Sequence, residues 1–170
     1  MNIVIRQVTL ADASLLAKAQ REIAIEPGLL VSRPTELMDQ KFESTILKVL
    51  QDKQGQYLVA ECEGEIVGQG LLEPLHLEAI CHVAHLTLVV HKGWQGKGIG
   101  KILLKHLIDW AKASGNIEKI ELHVRSSNSR AIALYKKMGF HEEGRLKNRV
   151  KFQDRHYADD ILMALFVKKF

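Results

Sequence analysis

Residues 89 to 101 pass from an apolar, β-branched run into a glycine-dense loop and directly on into an apolar helical pattern: Val89-Val90-His91-Lys92-Gly93-Trp94-Gln95-Gly96-Lys97-Gly98-Ile99-Gly100-Lys101. A strand must therefore hand over to a helix with only a glycine turn between them. Such a turn is an anion cradle. Glycine permits positive φ and close approach of the backbone to a ligand. The first N–H groups of the helix have no internal partners and sit at its positive end, where phosphate is the common guest.

The spelling of the loop narrows the ligand. A Walker A loop needs four residues between its first glycine and Gly-Lys-Ser/Thr, and no placement on Gly93, Gly96, Gly98 or Gly100 provides that. In the dinucleotide fingerprint Lys101 stands where the third glycine belongs. Gln95-Gly96-Lys97-Gly98-Ile99-Gly100, written Gln-x-x-Gly-x-Gly, resembles instead the pyrophosphate loop of the GNAT superfamily of N-acetyltransferases. A second segment follows in the expected order. Asn128-Ser129-Arg130-Ala131-Ile132-Ala133-Leu134-Tyr135-Lys136-Lys137-Met138-Gly139-Phe140 is similar to the GNAT pattern Asn-x-x-Ala-x-x-Leu-Tyr-x-x-x-Gly-Phe at every fixed position. Its local physics stands apart from the resemblance. Asn128 is a good N-cap, Ala131, Leu134 and Met138 recur at helical spacing, and Gly139 is a C-terminal stop.

Length and composition are compatible with that reading. A chain of 170 residues suits one domain, 1–170. No apolar run is long enough to span a bilayer, and no secretory signal opens the chain, so a cytoplasmic protein without a membrane partner is expected. Cys62 and Cys81 form no CxxC pair and join no His/Cys cluster, so no metal is expected. The formal charge is +4. Lys97, Lys101, Lys105 and Lys112 are read as belonging to one helix, a solvated face that beside such a loop also supplies an attractive field for a polyanionic ligand. Without aromatic interleaving or a finger motif, a nucleic-acid partner is not expected.

Periodicity places strands at Ile3 to Val8, Tyr57 to Glu61, Glu65 to Leu72, Val83 to Val90 and Ile117 to Val124, with a closing hairpin of Phe140 to Phe152 and Tyr157 to Val167. Glu63-Gly64 marks a tight hairpin turn. Helices are expected from a Thr9 to Asp12 capping box to Ile25, with a stop at Pro27-Gly28, then from Thr35 to Leu50, Ile99 to Ala113 and Asn128 to Met138. In the third, Ile99, Ile102, Leu103, Leu107, Trp110 and Ala111 form the apolar stripe. The fold class is α/β: a mixed, mostly antiparallel sheet flanked by four helices in a single domain, in the order of GNAT proteins. Asp154-Arg155-His156-Tyr157-Ala158-Asp159-Asp160-Ile161-Leu162-Met163 also resembles the Asp-Gly-x-Tyr-x-Asp-x-x-x-Met ending of ribosomal-protein-type and polyamine-type members. Arg155 replaces the glycine, and since an Arg at positive φ costs energy, a different turn is expected there.

The resemblance implies transfer of acetyl from acetyl-CoA to an amine. An amine with pKa near 10.4 is neutral in only about one molecule in 2500 at pH 7, a handicap of roughly 4.6 kcal/mol. A base must relieve it, N–H donors must stabilise the developing oxyanion, and the thiolate needs a proton. In GNAT proteins the fourth strand is bulged and splays from the fifth. Carried over, Leu88 N–H becomes the oxyanion donor and Val90 the pantetheine contact, with Val89 between them. Gln95, Gly96, Lys97, Gly98, Ile99, Gly100 and Lys101 hold the pyrophosphate, Asn128 touches the CoA arm, and Tyr135 is the general acid near sulfur. Many relatives carry Glu near the position of Ala84-His85. Here His85 is the first candidate base, then Glu73 and His82, with water or an amine arriving neutral as alternatives. Two function classes remain at this level: an N-acetyltransferase acting on a small-molecule or peptide amine, and a catalytically idle CoA-binding domain that senses or interacts. Acetyl-CoA and an amine acceptor are the expected partners, with a homodimer left open.

Overall fold

A computed structural model describes residues 2–26, 29–152 and 155–168. The elements run β1 (Ile3–Gln7), α1 (Ala13–Ala24), α2 (Asp39–Asp52), β2 (Gln56–Cys62), β3 (Glu65–Pro74), β4 (Val83–Val90), α3 (Ile99–Ser114), β5 (Lys119–Arg125), α4 (Ser129–Lys137), β6 (His141–Lys151) and β7 (Tyr157–Phe166). One seven-stranded sheet has the order β1-β2-β3-β4-β5-β7-β6. Every neighbouring pair is antiparallel except β4 with β5.

Both faces of the sheet are covered, which is why β2 reads as a continuous apolar run. Alternate residues point to opposite faces: Tyr57 and Val59 pack with Leu16, Phe42 and Ile46 from α1 and α2, and Leu58 and Ala60 pack with Leu103 and Leu107 from α3. Glu63 and Gly64 take φ of 52° and 82°, the two positive values of the twist-matched hairpin turn the sequence predicts. The stripe on α3 is wider than expected. Leu104 and Ile108 are buried, whereas Ile102 and Trp110 are only half-buried.

Three expectations are corrected. The helix expected from Thr35 is a short 3-10 turn at Pro34–Glu36, and α2 begins only at Asp39. Leu37 turns into the core, its carbonyl accepts from Arg21 Nη1 at 2.7 Å, and Asp39 is held by Arg21 and Ser14 at 2.8 and 2.6 Å, so contacts with α1 decide where the helix starts. Arg155 does take positive φ, 68°, in the β6–β7 hairpin. The hairpin bonds Arg155 N–H to Phe152 O at 3.1 Å and Phe152 N–H to His156 O at 2.8 Å offset a left-handed cost of about 1–2 kcal/mol. Finally, β4 carries no bulge: its pairing with β3 runs without a register shift from Gly68↔Val90 to Pro74↔Ala84. The helix stop at Pro27-Gly28 and the motif residue Asp154 lie outside the described residues.

Candidate active site

The splay expected beside β4 is present and arises without a bulge. Strand β5 accompanies β4 only from Val83↔Lys119 to His85↔Glu121 and then leaves to pair with β7 along its full length. Beyond His85 the parity of the ladder decides which backbone groups are left over. His91 N–H donates to Val67 O and Leu75 N–H to Val83 O, both at 2.9 Å. In an antiparallel pair these contacts alternate, so the backbones of His85, Thr87 and Val89 face β3 while those of Leu86, Leu88 and Val90 face away from it. Leu88 and Val90 therefore present N–H and C=O groups to the gap. One of these, Val90 O, accepts from Gln95 Nε2 at 3.3 Å, which ties the glycine loop to the splayed strand.

Gly96 and Gly98 hold φ of 79° and 84°, and a Cβ built on either would meet nothing within 4 Å. Backbone conformation, not crowding, demands glycine there, and the space above the loop is open. Gly100 is demanded by contact: its Cβ would lie 3.3 Å from Leu134 and 3.4 Å from Val90, so α3, α4 and β4 converge at this point. Within α3 the N–H groups of Lys101 and Ile102 turn back to Gly98 O, leaving those of Ile99 and Gly100 without helical partners. On the other wall Asn128 caps α4 by accepting Ala131 N–H at 3.1 Å.

Between these walls lies a cavity of about 730 Å³. Leu88, Val89, Val90, Gln95, Gly96, Gly98, Ile99, Gly100, Lys101, Asn128 and Tyr135 all line it, two elements distant in sequence thus meeting at one site. Lys97 is placed differently: its ammonium lies 4.5 Å from the centre of the half-buried Trp94 ring and is not among the residues lining the cavity. A positive φ on both flanking glycines turns that side chain outward. Tyr135 is 7% exposed, packs its ring 5.6 Å from Phe140, and has its hydroxyl pushed up to about 12 by burial, so it keeps its proton at neutral pH. Its hydroxyl has no protein partner among the described residues.

The sequence reading missed Arg130, which lines the same cavity. It occupies the second position of α4, where a cation opposes the helix dipole. That misplacement was a legible signal of an anionic ligand. Glu26 at the rim is neutralised by Lys92 at 2.8 Å.

The three candidate bases fare differently. His82 precedes β4 at the end remote from the loop, and its carbonyl accepts Glu118 N–H at 2.8 Å; neither it nor His85 is among the residues lining either cavity. Glu73 and His85 are register partners on β3 and β4 and share the sheet face of α1 and α2, opposite the packing face of Leu88. Glu73 is held by Lys48 at 2.8 Å. It lines a second, smaller cavity of about 250 Å³ that also includes Gln69, Thr45, Lys41 and Thr87. His85 packs edge-on against His123 with ring centres 5.4 Å apart. Burial first, and His123 second, hold its pKa below the ordinary histidine value, while Glu121 and Glu73 oppose the shift. It is a neutral imidazole at pH 7.

A seven-stranded sheet split at one parallel pair, with a glycine cradle beneath the split, is the architecture of acyl-CoA N-acyltransferases. The model of the Acetyltransferase (GNAT) family matches residues 18–140, and the chain belongs to that family. It is 30% identical over 119 residues to a spermidine N(1)-acetyltransferase of Escherichia coli K12, a match that spans 70% of this chain and 62% of that relative. The crystal structure of a GNAT-family acetyltransferase from Streptococcus pneumoniae superposes with a TM-score of 0.89 at 26% identity, covering 97% of this chain and 99% of the other. A phosphinothricin acetyltransferase from Sinorhizobium meliloti, solved in complex with acetyl-CoA, shares the fold with a TM-score of 0.88 at 20% identity, over 98% and 89% of the two chains.

Proposed function

We propose that the protein is an N-acetyltransferase moving acetyl from acetyl-CoA to a primary amine of a small molecule or peptide by direct attack in a ternary complex. The observation that carries this is the unladdered backbone of Leu88 and Val90 opening onto the glycine loop. The donor's diphosphate would lie on the free N–H groups of Ile99 and Gly100, with Lys101 and Arg130 supplying countercharge. Acetyl-CoA supplies an activated thioester. Leu88 N–H, fixed on a strand, stands ready for charge growing on a carbonyl oxygen in a partly dry site, at no cost in reorganisation. Tyr135, protonated at neutral pH, donates to the departing sulfur. Cys62 is buried and Cys81 exposed, and neither lines either cavity, which favours direct attack over an acyl-cysteine route.

His85 is the base we favour. It is neutral at physiological pH, whereas Glu73 would have to leave Lys48 to take a proton. Leu88 lies three residue steps from His85, about 10 Å along a strand, so the proton travels to His85 through water. The experiment is release of free CoA thiol from acetyl-CoA with and without amines. Amine-dependent release supports the enzyme, and binding without release would make the protein the idle CoA-binding domain.

A further inference from the structure

Adjacent residues of β4 line the two cavities: Leu88 the larger, Thr87 the smaller. The smaller therefore begins within one residue of the proposed oxyanion donor, next along β4 from the larger. Its floor is apolar, with Phe42 and Leu71, and its walls carry the neutral amide and hydroxyl of Gln69 and Thr45. At about 250 Å³ it holds the volume of about eight waters, which suits one small molecule better than a peptide.

Charge decides what kind. Glu73, the one carboxylate among the described residues that line this cavity, is 2.8 Å from Lys48 Nζ, and Glu26 at the larger cavity is likewise matched by Lys92. Lys41, exposed at the wall of the smaller cavity, has no anionic partner among the described residues. A polyamine would bring additional ammonium groups to a site whose carboxylates are already neutralised and whose free charge is positive. An amine bearing a carboxylate meets the opposite situation.

We propose that the smaller cavity is the acceptor subsite and that the acceptor is an amine carrying a free carboxylate, of the amino-acid class, with Lys41 pairing that carboxylate. The same charge disfavours polyamines. This deepens the acetyl-transfer reading and rests on it.

The test measures thiol release with neutral amino acids, their primary amides and spermidine, for the wild type and for Lys41→Ala and Lys41→Glu. The expected order of kcat/KM is acid above amide above spermidine. In Lys41→Ala the acid-to-amide ratio should fall by about 2- to 5-fold, the worth of an exposed charge pair, and the loss should appear in KM. Lys41→Glu should lower the ratio further. Thermal unfolding checks that both exposed-site variants remain folded. Turnover of spermidine or of amides above that of the acids would overturn the proposal and leave acetyl transfer standing. So would a ratio insensitive to Lys41. Absence of thiol release with every amine, in protein that still binds acetyl-CoA, would overturn both readings.

Discussion

Replacing Gly98 by Asp separates the cradle's two roles, because the structure assigns them different energies. The φ of 84° is unfavourable for any side chain, yet a Cβ there meets no protein atom within 4 Å. The folding cost is therefore backbone strain alone, about 1–2 kcal/mol, which lowers the melting temperature by about 3 to 8 °C at this size. Binding suffers from a different source. A carboxylate about 5 Å from a phosphate oxygen costs roughly 3 kcal/mol at an effective dielectric of about 20. Solvent at this exposed loop cuts that to between about 1.5 and 3 kcal/mol, roughly a 10- to 150-fold rise in Kd. Gly98→Ala should show the strain without the charge, and Lys97→Ala neither, since that ammonium sits over Trp94. Calorimetric titration with CoA, paired with thermal unfolding, reads both quantities. A folded Gly98→Asp protein with wild-type CoA affinity would refute the assignment of the cradle.

Tyr135→Phe retains the ring packing on Phe140 and should lower the chemical rate by about 10²- to 10⁴-fold with CoA affinity little changed, measured by single-turnover thiol release. If His85 is the base, the rate at saturating substrate rises with pH through an apparent pKa below the ordinary histidine value and is flat by neutral pH, the direction set by its burial. His85→Gln should abolish that limb in a pH-rate profile, and a surviving limb would assign the proton to another group. Asp12 is held below the usual carboxylate range by Arg6, bonded at 2.8 and 3.0 Å. Its contribution to stability is present above the unfolded pKa near 4 and lost as pH falls through the lower folded value. Asp12→Asn should cost about 2 kcal/mol in urea unfolding at neutral pH and flatten the acid limb of stability.

What the sequence revealed and what it hid divide along a physical line. Val83–Val90, the loop and the Asn128-to-Tyr135 helix were legible because each is encoded locally: β-branched alternation, glycines at positive φ, an N-cap and a 3.6-residue repeat. The start of α2 was not, because Arg21 from another helix, rather than a local cap, decides it. Arg155 was misjudged since the cost of its φ was weighed without the hairpin bonds that offset it. The splay at β4 was expected from family resemblance with a bulge as its cause. The actual cause is the departure of β5 toward β7, a matter of pairing that no residue of β4 encodes. The neutralisation of Glu73 by Lys48, which bears on both base and acceptor, joins α2 to β3 across 25 residues and leaves no local trace.

The account stands or falls on acetyl transfer itself. Incubation with acetyl-CoA labelled in the acetyl group, with thiol and acetylated amine quantified together by absorbance and mass spectrometry, tests it most directly. The expected result is one labelled amide per thiol released, with release dependent on the amine and lowered roughly 5- to 75-fold in Gly98→Asp at acetyl-CoA concentrations near the wild-type Kd. Stoichiometric CoA binding with no labelled amide from any amine would contradict it.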